Sequence, residues 1–71
     1  MGSITERQRA ILVSIVDFKS KNHYSPTVRE LCEITGLKST SSIAAHLRAL
    51  REKGYITWIE AMPRTIQVIG L

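Results

Sequence analysis

With 71 residues the chain is one small domain, large enough for a single modest core and too short to enclose a deep catalytic pocket. Ten basic against six acidic residues leave a net charge of +4, which favours an anionic partner without naming it. No stretch approaches the roughly 20 apolar residues of a membrane span, no apolar leader follows Met1, and the lone Cys32 rules out an internal disulfide and a cysteine-based metal site. A reducing, cytoplasmic setting is therefore expected. His23 and His46 lie too far apart in sequence for a metal-ligand motif, so neither a metal nor a cofactor is expected.

The first helix, expected over about 5–21, opens on a capping box, Thr5-Glu6-Arg7-Gln8. Gln8, Ile11, Ile15 and Phe18 follow helical spacing, with Leu12 and Val16 broadening the apolar stripe. Asn22 to Pro26 break the helix, and a second capping box, Thr27-Val28-Arg29-Glu30, starts a short helix over about 27–35 that stops at Gly36. Val28, Leu31 and Cys32 form its inner face. The third helix, about 40–53, has several serines able to cap it and ends at Gly54. The period then changes to alternation. Tyr55–Ile59 and Thr65–Ile69 read as two strands joined by a Pro-containing connection, and a hairpin this small must lean on the helices.

Helix, short helix, Gly turn, helix and hairpin make a winged helix-turn-helix: mainly α, three helices plus a two-stranded wing in one domain over residues 1–71. With Ile43, Leu47 and Leu50 turned to the core, Ser41, Ala45, Arg48 and Glu52 point outward, flanked by Ser42 and Ala44. The face is small. A major groove about 12 Å wide matches the diameter of a helix, serines can serve several base edges, alanine methyls can meet thymine methyls, and Arg48 can reach a guanine or a phosphate. Ala44 and Ala45 equally suit a plain solvated helix, and Arg48 can pair with Glu52. His46 is expected to be partly packed. Trp58 can either seal the hairpin against the first helix or stand exposed as a contact surface, and an apolar wing would suit a protein-interaction module or an anti-repressor from a mobile element.

The motifs extend the reading. The chain resembles the amino-terminal DNA-binding domain of the LexA family, repressors of the bacterial SOS response. The family's opening "LTxRQ" is matched by Ile4-Thr5-Glu6-Arg7-Gln8, and its "PPTxREI" by Ser25-Pro26-Thr27-Val28-Arg29-Glu30-Leu31. Its "GLxSxSSVxxHLxxLExKGxI" is matched by Gly36 to Ile43, His46-Leu47, Leu50 and Lys53-Gly54-Tyr55-Ile56, and its "PRxIxV" by Pro63 to Val68. The resemblance implies repression by sequence-specific binding of a double-stranded operator. Because paired half-sites multiply affinity, a two-fold symmetric operator is expected, with the isolated domain monomeric and pairing on DNA or through a further domain. The resemblance also implies base contacts from Ser39, Ser41, Ser42, Ala44 and Ala45, to which chemistry adds Arg48. It implies backbone contacts near Thr27, Arg29, Lys53 and Arg64, to which Lys38 is added. Two features depart from the family. Ala44 and Ala45 replace polar or larger side chains, and Glu60 sits in an unusually apolar wing. The family's Ser-Lys self-cleaving protease domain has no counterpart here, so no enzyme activity is expected.

Overall fold

A computed structural model describes residues 3–70. Three helices precede a two-stranded sheet: α1 (Glu6–Asn22), α2 (Val28–Thr35), α3 (Thr40–Glu52), β1 (Ile56–Thr57) and β2 (Gln67–Val68).

Local chemistry sets the helix boundaries. The Thr5 hydroxyl accepts from the Gln8 amide at 3.1 Å and the Gln8 side chain accepts from the Thr5 amide at 3.1 Å, closing the capping box. Thr27 and Glu30 repeat the device at α2. α1 stops at His23, whose left-handed backbone (φ 64°) sends its amide to the Lys19 carbonyl. α2 stops at Gly36, where φ of 76° suits a residue without a Cβ.

Each element gives its apolar seam to one core. Ile11, Leu12 and Ile15 of α1 meet Leu31 of α2, Ile43, Leu47 and Leu50 of α3, and Ile56 and Ile66 of the wing. Val28, Cys32, Leu37 and Trp58 pack against its edge. Val16 does not join the core. The seam through Gln8, Ile11, Leu12 and Ile15 is already complete, and Val16 lies beyond its edge, 38% exposed.

The wing is less regular than the alternating pattern suggests. Among the described residues only Ile56 with Val68 and Thr57 with Gln67 pair in the antiparallel ladder, where strands over 55–59 and 65–69 were expected. Beyond Thr57 side-chain bonds replace the ladder. The Ile59 amide donates to the Thr65 hydroxyl at 2.9 Å, and that hydroxyl donates to the Met62 carbonyl at 2.9 Å. Ala61 and Arg64 take φ of 62° and 61°, which no extended strand allows. At the open end the Tyr55 carbonyl accepts from the Ile69 and Gly70 amides, at 2.9 and 3.1 Å. A Cβ on Gly70 would meet the Gly54 carbonyl oxygen at 2.6 Å, so only glycine fits this closure.

Candidate nucleic-acid interface

α3 is held from behind by Ile43, Leu47 and Leu50, so its opposite face is fixed toward solvent. Ser41, Ser42, Ala45, Arg48 and Glu52 are exposed on it, and Ala44 and His46 are half-buried at its edges. Ser39 caps the helix: its hydroxyl accepts from the Ser42 amide at 3.3 Å. From Ser41 to Arg48 the exposed side chains are hydroxyls and methyls followed by one guanidinium, with no carboxylate before Glu52.

A cleft of about 320 Å³ runs beside this face. It is lined by Pro26, Thr27 and Val28 at the start of α2, by Ala44, Leu47 and Arg48 of α3, and by Trp58, Glu60 and Met62–Ile66 of the wing. Four residues singled out from sequence, Thr27, Ala44, Arg48 and Arg64, thus border one space. Arg29 lies exposed in the first turn of α2 and Lys38 exposed in the turn before α3. The Thr27 hydroxyl is engaged as the α2 cap, accepting from the Glu30 amide at 3.2 Å.

Two basic residues implied at the DNA backbone have partners inside the fold. The Lys53 ammonium donates to the Ser3 carbonyl at 2.6 Å and to Gln8 Oε1 at 2.8 Å, fastening the end of α3 to the start of α1. Arg64 donates to both Glu30 oxygens, at 2.9 and 3.2 Å, and its guanidinium lies 4.6 Å from the Tyr24 ring centroid.

A second cluster joins the wing to α3. Arg51 donates to Glu60 at 2.5 Å, and its guanidinium lies 4.4 Å from the Trp58 ring centroid, within cation–π range. Trp58 is half-buried with its ring under Arg51 of α3, not against α1 as one of the two expectations had it, because the Arg51 guanidinium offers its ring a cation–π partner, whereas Ile59 and Met62 remain exposed. Glu60 is therefore neutralised by its neighbour. The hydrogen bond from Arg51 holds its carboxyl below the ordinary value of 4.5, and Arg48 adds to the effect. The Glu30 carboxyl is also lowered, first by the Thr27 backbone amide and then by Arg64. Sequence reasoning did not find these pairs. Their only local sign was an acidic residue in a region that otherwise suits an anionic partner.

Among the described residues no group of three His, Cys, Asp or Glu is placed to hold a metal ion, and no helix is long and apolar enough to cross a membrane.

Comparison with known proteins adds an independent line. The family model described as LexA DNA binding domain matches residues 1–65. A LexA repressor from Caldicellulosiruptor saccharolyticus is 44% identical over 66 residues, covering 93% of this chain and 33% of the relative. One from Mycobacteroides abscessus is 43% identical over 70 residues, covering 99% and 31%. One from Shouchella clausii is 42% identical over 71 residues, covering 100% and 34%. The chain spans about a third of the length of these curated relatives.

Proposed function

This chain belongs to the LexA DNA binding domain family, and on that premise we propose that it binds duplex DNA sequence-specifically and acts as a transcriptional repressor of the SOS type. The observation that carries the reading is the exposed face of α3, small and free of carboxylates from Ser41 to Arg48, beside a wing clamped at its flank. α3 enters the major groove, whose width admits it. Ser41, Ser42, Ala44, Ala45 and Arg48 meet base edges, with Ser39 at the rim of the groove. Thr27, Arg29 and Lys38 approach the sugar–phosphate backbone, and the net positive charge steers the encounter.

One copy covers one half-site. Two copies on a two-fold operator multiply affinity, so the isolated domain is monomeric in solution and pairs on DNA. The role is binding, with no catalytic step, and a cytoplasmic location fits it. Residues 1–65 match a DNA binding domain model and the relatives are named repressors, which weighs against the alternative of a protein-interaction module.

Selection from random duplexes followed by fluorescence anisotropy tests the reading. A defined sequence should emerge, and Ala45→Glu should lower affinity for it on the order of 100-fold, as a clash and a charge replace groove contacts. The helical circular dichroism should stay unchanged. Undiminished affinity would take α3 out of the groove, and failure to select any sequence at low salt would overturn the duplex reading.

A further inference from the structure

Arg64 follows the wing tip with φ of 61°, a conformation that a residue bearing a Cβ holds only when its surroundings impose it. Its surroundings are specific. The guanidinium grips both oxygens of Glu30 and also donates to the Ser25 carbonyl at 3.3 Å. Its face lies over Tyr24. Glu30 in turn accepts from the Thr27 amide at 2.8 Å, so one carboxylate serves both the α2 cap and the wing. Next door, the buried Ser25 hydroxyl donates to the Ile66 carbonyl. Residues 24–30 and 64–66 are thereby fastened together. The ladder cannot do this, because it ends at Thr57 and Gln67 and leaves the tip between them unpaired. The Arg64 side chain is 41% exposed and that of Glu30 29%, and Arg64 borders the cleft, so the pair is a partly exposed unit whose formal charges cancel.

We propose that Arg64 is a positioning residue: through Glu30 it fixes the wing to the start of α2, and so sets how the α3 face meets the duplex, instead of contributing a free cation to a phosphate. The inference rests on the duplex-binding reading above. A free phosphate-binding arginine and a bridging arginine respond in opposite ways when Glu30 loses its charge. Glu30→Gln keeps an acceptor for the Thr27 amide but cannot grip both guanidinium nitrogens as a carboxylate does.

The experiment measures binding of the selected duplex and of a scrambled duplex across a salt series, for the wild type, Glu30→Gln, Arg64→Lys, Arg64→Ala and the Arg64→Ala/Glu30→Gln double variant. Circular dichroism confirms that each is folded. If Arg64 positions the wing, Glu30→Gln weakens binding of the selected duplex on the order of tenfold and leaves scrambled DNA little changed. Arg64→Lys then fails to rescue, because a point charge lacks the planar fork. The double variant is no weaker than Arg64→Ala, and its salt slope equals that of the wild type. If Arg64 is a phosphate contact, Glu30→Gln binds as tightly as the wild type or more tightly, Arg64→Lys retains binding, and the double variant loses about one unit of salt slope. That set of results would overturn the inference and leave the duplex reading intact, whereas a wild type that selects no duplex would overturn the reading itself. Should Arg64→Ala fail to fold, Glu30→Gln and Arg64→Lys still decide between the two.

Discussion

Glu30 of α2 and Glu60 of the wing are each bound by an arginine. Both carboxyls are held below the ordinary 4.5. Between the lowered values and 4.5 the unfolded chain binds more protons than the folded one, so stability rises with pH there. The stabilisation is complete above about 4.5 and fades as pH falls through the folded-state values. Thermal unfolding followed from about pH 6 to about pH 3 should show a falling midpoint. The double variant Glu30→Gln/Glu60→Gln should show a shallower fall, and an identical fall would mean that other groups carry it. Part of this residue-level picture was legible. Thr5 and Thr27 announce their roles because their partners sit three positions away. Arg51 with Glu60 and Arg64 with Glu30 are separated in sequence and meet only once the hairpin folds back, so no local pattern marks them.

The helices owe their definition to caps more than to length. α2 has eight residues, too few to persist alone in water, and it depends on the Thr27–Glu30 box at its start, Gly36 at its end and Leu31 in the core. Thr27→Ala should cost about 1 kcal/mol. In a domain of this size that lowers the melting midpoint by roughly 4–8 °C, which calorimetry can check. Affinity for DNA should fall along with it if the start of α2 approaches the backbone. The wing stands at the other extreme. Its alternating sequence advertised two five-residue strands, yet its ladder is two residues long. The Thr65 hydroxyl and the left-handed turns at Ala61 and Arg64 take over the amides and directions that a longer ladder would need. Alternation of β-branched residues records which faces are apolar, and it cannot tell a paired strand from an extended loop pinned by side chains.

For the molecule as a whole, ten cations do not amount to ten contacts. Lys53, Arg51 and Arg64 are engaged inside the fold, and Lys21 pairs with Asp17 on α1 at 3.2 Å. Arg29, Lys38 and Arg48 remain exposed around the start of α2 and along α3. With about two or three phosphates neutralised per bound domain by these exposed cations, the logarithm of affinity should fall against the logarithm of salt with a slope of roughly −2 to −3. A flat dependence would remove the electrostatic basis of the proposed function. The overall fold was readable from the order of elements and from the core periodicity, because each helix carries its own apolar seam. The docking of the wing was not readable, because it depends on an aromatic ring under a guanidinium and on a carboxylate shared between two elements.

The two ends of the described chain are tied to nearly the same place. Ser3 holds Lys53 through its carbonyl, and the Gly70 amide is held by the Tyr55 carbonyl, two residues further along. A tension applied across the domain would therefore load the short span from Lys53 to Tyr55 before it reached the helices. The domain should yield first by letting its ends peel away from this junction, while the three-helix core and the face of α3 keep their shape under strain.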